Sequence, residues 1–439
     1  MTELPDDRLE TALKDKAPRY LHGEAITEAN RCIYCSDAPC VTACPTGIDI
    51  PTFIHKIATD NVKGSARTIF ESNLLGTSCA RVCPVEVLCA GSCVYNHWDR
   101  DPIAIGRLQR YATETAIERA PDLLSRDRQP ATGKKIACIG AGPASLATAG
   151  HLALDGHSVT IFEKRAYPGG LNTTGVAPYK LHAPDALREV QLILDLGDIE
   201  VKTGIEVVES EAGSGQVSSA TLLADYDAVF IGIGLGPDNF LDIEGEEGPG
   251  VVGAVDLIEQ LKLDPAASVK ELGRALVVGG GNTAIDIARE LALLGVAEVV
   301  MVYRKTSEVM SGYAHEMDLA RHDRVRLLEN RQPVAVVRED GALVGLKVAA
   351  TDGSGAEEVI ECDLVAMAIG QSRLTQLAAT FDGVTLDGKG RVQVDEATNR
   401  TGNPKIYAGG DCVNGGKEVV NAAQHGKLAA RAITASFGS

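Results

Sequence analysis

The sequence has 439 residues, a formal net charge of −18, 45% hydrophobic residues and only 4% aromatic ones. At roughly 150 residues per domain this length suggests about three domains, with cores built from Ala, Val, Ile and Leu. So acidic a surface repels phosphate backbones and argues against a general nucleic-acid role, and no apolar run reaches the ~18 residues that span a bilayer. The start, residues 1–10, is polar and acidic, unlike a signal peptide, so a cytoplasmic location is expected.

Residues 1–118 hold eight of the 11 cysteines. Apolar residues at three- and four-residue spacing over 50–58, 65–71 and 105–117 predict helices between them. The first group reads Cys32-x2-Cys35-x4-Cys40-x3-Cys44-Pro45; the second reads Cys79-x3-Cys83-Pro84 and then Cys89-x3-Cys93. Disulfides belong to secreted chains, and zinc sites prefer two C-x2-C pairs where only one occurs here. Close spacing lets one turn of chain offer several thiolates to one cubane, so two [4Fe–4S] clusters are expected. In two-cluster ferredoxins the fourth Cys of such a run ligates the other cluster. From spacing alone the eight cysteines divide four and four.

A linker is expected over 119–134, which carries Pro121, Pro130 and Gly133. Beyond it, short β-branched strands alternate with Gly-rich turns and helices, the pattern of a parallel sheet. Strands are expected over 135–140 and 158–163, with Gly140-x-Gly142-x-x-Ser145 between them and Pro143 in the first helical turn. The glycines let backbone approach a pyrophosphate at a helix N-terminus, and Glu163 stands where a ribose hydroxyl is bound. Ser145 departs from the usual Gly or Ala, which perturbs helix–strand packing without preventing it. Gly169-Gly170-Leu171 and the late Gly410-Asp411 complete what resembles an FAD site. In such proteins the late Asp bonds the ribityl chain and the following helix, here 418–430, points at the isoalloxazine.

A second unit starts at 274–278, with Gly279-x-Gly281-x-x-Ala284 enclosing Asn282 and Thr283, and with its next strand at 297–303. Arg304-Lys305 follow, at the place of Glu163 in the first unit. A carboxylate there selects a free 2′-hydroxyl, whereas Arg and Lys match a 2′-phosphate, so NADPH is favoured over NADH. Three further apolar runs (227–234, 363–370, 405–411) reach glycines and read as strands ending at a ligand. The fold class is α/β: two Rossmann-like dinucleotide-binding domains preceded by an α-helical iron–sulfur domain. The expected limits are 1–118 (iron–sulfur), 119–134 (linker), 135–248 and 371–439 (FAD), and 249–370 (NAD(P)H). No cysteine pair lies close beyond Cys93, so a dithiol reductase is not supported. Neither H-x-x-x-H nor Gly-x-Ser-x-Gly occurs, the nine histidines read as structural, and no catalytic side chain is nominated.

Residues 31–35, 37–40, 44–46, 73–76, 80–84 and 102–113 resemble the amino-terminal domain of dihydropyrimidine dehydrogenase. The whole chain is similar to the small NAD(P)H-oxidising subunit of the two-subunit bacterial form, and more distantly to the glutamate synthase small subunit. The resemblance implies one cluster on Cys32, Cys35, Cys40 and Cys93. It implies the other on Cys44, Cys83, Cys89 and Gln109, with Cys79 unligated. By spacing alone Gln109 is a solvated helix residue. The resemblance further implies hydride transfer from NAD(P)H to FAD and single electrons passed through the clusters, since flavin converts between the two modes. The acceptor is expected to be a separate FMN-containing, cluster-bearing subunit that reduces uracil or thymine, because 439 residues leave no room for that barrel. Two alternatives are a glutamate-synthase-like role and a flavin-free redox-sensing scaffold.

Overall fold

The computed structural model describes residues 3–210 and 213–438; the expected limits at 1 and 439 lie outside them. The cysteine-bearing region is helical: His22–Ala29, Pro39–Thr42, Ile50–Ala58, Val62–Ser72, Gly76–Val82 and Ile105–Arg119. Asp49 accepts the Thr52 N–H at 3.1 Å with Pro51 in the first turn, and Asn61 accepts the Gly64 N–H at 3.0 Å. Each such cap contributes about 1 kcal/mol. The inward faces of these helices bury Phe53, Ile54, Ile57, Ile69, Leu108 and Ala112 in one core.

The rest of the chain builds, among the described residues, two five-stranded parallel sheets, a two-stranded parallel pair and a three-stranded antiparallel sheet. The strands are β1 (Lys135–Ile139), β2 (Ser158–Glu163), β3 (Ile199–Thr203), β4 (Glu206–Val208), β5 (Gln216–Ser218) and β6 (Ala228–Ile231). They continue as β7 (Val251–Gly253), β8 (Arg274–Val278), β9 (Glu298–Val302), β10 (Arg326–Leu328), β11 (Arg331–Glu339), β12 (Ala342–Ala350), β13 (Glu357–Glu361), β14 (Leu364–Met367) and β15 (Ile406–Ala408). The first five-stranded sheet has the order β15-β6-β1-β2-β3 and the second β10-β9-β8-β14-β7, all pairs parallel. β1 and β8 lie at the centre of their sheets, buried on both faces, which is why they read as continuous apolar runs. Antiparallel β11-β12-β13 forms a third sheet that the sequence reading did not anticipate. Its buried residues Val336, Leu346 and Val348 form an apolar face that covers the second sheet.

An N-terminal strap ties the three parts together. Leu9 packs on the core of the second sheet, while Glu10, 1% exposed, accepts the Ala183 N–H at 2.9 Å. Asp15 pairs with Arg81 at 3.1 Å and Arg110 at 2.6 Å in the cysteine region. Lys16 donates its N–H to the Tyr179 carbonyl at 2.7 Å and pairs through Nζ with Glu316 at 2.6 Å. Although burial pushes the Glu316 carboxyl up, Lys180, Lys16 and Arg289 hold it down to about 2.

Candidate cofactor sites

The first glycine loop leaves β1 at the carboxyl edge of its sheet. The Gly140 N–H donates to the Phe162 carbonyl at 2.8 Å, and Gly142 caps the helix Pro143–Leu154. At φ +83° a Cβ on Gly140 would stand 2.8 Å from the Gly232 carbonyl oxygen. Ser145 is fully buried, and the missing side chain of Gly232 makes room for its hydroxyl. That hydroxyl has no hydrogen-bond partner among the described residues. Glu163 accepts the N–H groups of Ala141 at 2.7 Å and Arg165 at 2.8 Å, so its carboxylate braces the loop it was expected to serve.

A second layer closes over this loop. Gly169 donates to the Ala141 carbonyl at 2.8 Å, and a Cβ on Gly170 would meet the Gly142 Cα at 2.8 Å, so backbone crosses backbone there. Leu171 opens the short helix Leu171–Thr174 that follows. From the other side, Gly410 (φ +76°) donates its N–H to His425 Nδ1 at 3.1 Å. Burial raises the neighbouring Asp411 carboxyl, whose Oδ1 accepts, among the described residues, only the Lys417 N–H at 3.2 Å. The cradle of bare backbone, the helix N-terminus, an unpartnered hydroxyl and a spare carboxylate together fit a dinucleotide.

The second loop repeats the first. Gly279 donates to the Val302 carbonyl at 3.1 Å, and Gly281 caps the helix Asn282–Leu293. At φ +144° a Cβ on Gly279 would collide with the Ala368 carbonyl oxygen at 2.3 Å. Ala284 is fully buried, while Asn282 and Thr283 lie half-buried in the open first turn. Asn282 Oδ1 accepts the Tyr313 N–H at 2.9 Å, a structural bond that spacing could not reveal. The register corrects one expectation. Ile139 pairs with Phe162 and Val278 with Val302, so Tyr303 occupies the place of Glu163, and Arg304 follows one residue later. The Tyr303 ring covers Gly280, and the exposed side chains of Arg304 and Lys305 form no ion pair among the described residues.

The cysteines gather as two neighbouring groups. Cys32, Cys35, Cys40 and Cys93 line one cavity with Ile33, Pro39, Ile54 and Tyr95. Burial and the nearby Cys32 and Cys93 push the Cys40 thiol up to about 11. Cys44, Cys79, Cys83 and Cys89 form the other group. A hydrogen bond with Cys79, burial and the charges of Cys89 and Cys44 drive the Cys83 thiol well upward. Burial pushes Cys89 up to about 12, with Cys44 and then Cys40 adding to it, so the groups adjoin. Thiols this crowded ionise together only around a cationic core. Among the described residues no three His, Cys, Asp or Glu side chains converge on a single ion. A cubane requires a different arrangement, each thiolate on its own iron.

The two groups reach different neighbours. Cys79 is part of the core beneath the first glycine loop, and Cys44 and Cys83 pack against that core. Cys93, Cys32 and Cys40 belong to the helical core, against which Cys44 and Cys89 also pack. The helix Gly76–Val82, carrying Cys79 and ending at Cys83, has its first N–H groups bound by Glu189 of the FAD-type unit, at 2.7 Å from Thr77 and 3.1 Å from Ser78. Burial pushes the Glu189 carboxyl up to about 7. Gln109, 7% exposed, donates Nε2 to the Gly76 carbonyl at 2.7 Å, which brings its amide onto the same helix. Tyr313, just beyond the second loop, donates its hydroxyl to Glu418 Oε1 at 2.8 Å, beside the start of the helix Val419–Ser436. It also lies within reach of the Cys83 charge, and His315 Nε2 is 3.4 Å from Glu86 Oε2. Glycine loops and cysteines therefore meet around Tyr313, Glu418 and Cys83. Sequence reasoning missed Tyr313, Glu418, His425 and Glu189, since each acts across elements far apart in the chain and no spacing marks them.

Comparison with known proteins agrees with this geometry. Residues 9–121 match the model described as dihydropyrimidine dehydrogenase domain II, 4Fe-4S cluster, and residues 134–426 match pyridine nucleotide-disulphide oxidoreductase. The chain belongs to the pyridine nucleotide-disulphide oxidoreductase family, with a 4Fe-4S domain ahead of it. It is an NAD(P)H-dependent oxidoreductase whose cofactors are iron–sulfur, FAD and NAD(P)H. The NAD-dependent dihydropyrimidine dehydrogenase subunit PreT of Escherichia coli (strain K12) is 34% identical over 96% of each chain. The glutamate synthase [NADPH] small chain of Halomonas elongata is 34% identical over 94% of this chain and 91% of that one. The thioredoxin reductase of T. acidophilum shares the fold at a TM-score of 0.56 and 21% identity, over 70% of this chain and all of that one. No helix among the described residues is long and apolar enough to cross a membrane.

Proposed function

We propose that the chain is the electron-input subunit of a dihydropyrimidine dehydrogenase, delivering reducing equivalents to a separate FMN-containing subunit that reduces uracil or thymine. The observation that carries this reading is the continuity from the first glycine loop to the cysteines. Cys79, Cys44 and Cys83 share a core with that loop, and Cys40 links their group to the outer one. Bound flavin supplies hydride acceptance and one-electron release, and clusters supply one-electron transport. The chain's own residues orient and insulate these groups. The PreT relative, matched over 96% of both chains, and the domain II match support the pyrimidine reading, while the glutamate synthase small chain matches at the same 34% identity, so the reconstitution below decides between the two.

In this reading the loop of Gly140, Gly142, Pro143 and Ser145, with Glu163, Gly169, Gly170, Leu171, Gly410 and Asp411, holds FAD. Gly279, Gly281, Asn282, Thr283 and Ala284 hold the nicotinamide dinucleotide. Exposed Arg304 and Lys305 favour NADPH, although the relatives' names divide between NAD and NADPH. Cys32, Cys35, Cys40 and Cys93 hold the outer cluster; Cys44, Cys83, Cys89 and the Gln109 amide oxygen hold the inner one. Cys79 then supports Cys83 through its hydrogen bond instead of binding iron. The segment limits 1–118, 119–134, 135–248, 249–370 and 371–439 are the working domain division for truncation.

The test is reconstitution. Anaerobically purified chain is mixed with NADPH or NADH and with either the FMN-containing subunit of a dihydropyrimidine dehydrogenase or the large subunit of a glutamate synthase. Uracil consumption with the first and no glutamate with the second is expected; the reverse result replaces this reading with the glutamate-synthase one.

A further inference from the structure

Lys427 is a buried cation without an anion. It lies on the helix Val419–Ser436, which packs against the helix of the first glycine loop, and it is 6% exposed. Its Nζ donates to the carbonyls of Thr46 and Ser72, each at 2.8 Å. Two neutral acceptors serve three N–H donors, and among the described residues no carboxylate pairs with it. Burial and the like charge of Arg431 pull its pKa down to about 8, and the one opposing influence is Cys44. A buried charge left without a partner is costly, so such a residue is expected only where an anion compensates it. The backbone that receives Lys427 is also that of the cysteine: Thr46 offers its carbonyl to the ammonium, and its hydroxyl lies 3.3 Å from Cys44 Sγ.

We propose that Lys427 is the counter-charge of the inner cluster and raises its reduction potential, with the Thr46 hydroxyl tuning the Cys44 sulfur in the same direction. The inference rests on the reading that Cys44 binds this cluster. Reduction adds one electron, and so one negative charge, to a cluster. A fixed cation nearby favours that state, as does a hydrogen bond to a ligating sulfur. Lys427 thereby acts on the step between flavin and cluster without touching the reacting atoms. It would keep the inner cluster a competent first acceptor, although a neutral amide ligand already bears on its potential.

The experiment is an EPR-monitored redox titration of the whole chain, wild type against Lys427→Gln and Lys427→Arg. Glutamine can still donate to both carbonyls but carries no charge. The expected result is that Lys427→Gln keeps both clusters and makes reduction of one of them at least tenfold less favourable, a fall of about 59 mV for one electron. The other cluster stays within error, and Lys427→Arg restores most of the shift. Loss of the inner cluster in Lys427→Gln with retention in Lys427→Arg supports the same charge requirement. Unchanged potentials in Lys427→Gln, or equal loss of the cluster in both variants, overturn the proposal. Failure of the underlying reading shows separately, because Cys44→Ser would then leave the iron content unchanged.

Discussion

The two glycine loops share one backbone plan and differ in what surrounds them. Each begins with a glycine N–H donated to the neighbouring strand, Gly140 to Phe162 and Gly279 to Val302, and each opens a helix. The first is then clasped from both sides, by Gly169–Gly170 crossing its backbone and by Gly410 held on His425. Its acidic residue Glu163 is turned inward to brace the loop. The second is covered on one side, by a segment that Gly312 N–H and Asn282 hold in place, and its Arg304 and Lys305 stand exposed. A ligand clasped this way resides; a ligand held at an open edge by exposed cations exchanges. On the proposed assignment one supersecondary unit would serve a resident cofactor in the first case and a passing substrate in the second, with the distinction made by other chain segments.

The largest effects come from breaking either loop. Gly279→Ala places a methyl 2.3 Å from the Ala368 oxygen, so we expect pyridine nucleotide oxidation to be abolished while flavin absorbance is kept. Gly140→Ala strains a φ of +83° against the Gly232 carbonyl and should yield flavin-poor protein. Equal flavin loss in both variants would erase the contrast. The cysteine groups extend it: Cys79, Cys44 and Cys83 reach the core beneath the first loop, whereas Cys93, Cys32 and Cys40, and also Cys44 and Cys89, pack on the helical core. Here Gln109→Ala should lower iron from about eight to about four per chain, while Cys79→Ser keeps all of it. If Cys79→Ser loses half the iron and Gln109→Ala loses none, a simple count of thiolates describes the inner site.

Smaller changes sharpen the comparison. Arg304→Ala should weaken NADPH far more than NADH, by about 1.5–3 kcal/mol, roughly ten- to a hundredfold in KM. Equal effects on the two nucleotides would mean that Arg304 meets no 2′-phosphate. The smallest effect is one of pH. His425 accepts the Gly410 N–H and must be neutral to do so; burial and then Lys417 hold its pKa below the ordinary 6.5. The folded chain therefore takes up this proton at lower pH than the unfolded one does. The contribution is full above about 6.5 and fades as the pH falls beneath it. Flavin retention, followed by ultrafiltration, should drop about fivefold through that window, the worth of one hydrogen bond. His425→Gln should flatten the profile.

Much of this was legible along the chain because it depends on local spacing. The expected helix at 50–58 and strand at 158–163 coincide with Ile50–Ala58 and Ser158–Glu163, where periodicity and glycine punctuation agree. The runs over 227–234, 363–370 and 405–411 each contain a strand that ends near a loop. The helix expected over 418–430 runs on to Ser436, since Ala429, Ala430 and Ile433 extend its apolar face. What stayed hidden depends on tertiary contact. The sheet β11-β12-β13 has one buried face and mixed polar edges, a weak signal for any single strand. The one-residue offset between Glu163 and Arg304 required the strand register. Lys427, Glu189 and Tyr313 are unremarkable in sequence; each gains its meaning from a partner in another domain.

The most direct test of the central claim uses the isolated chain under anaerobic conditions, with NAD(P)H and either an artificial one-electron acceptor or uracil. As an electron-input unit that hands its charge to a partner, the chain should reduce the artificial acceptor at a steady rate and leave uracil untouched. Formation of dihydrouracil by the chain alone would contradict the account.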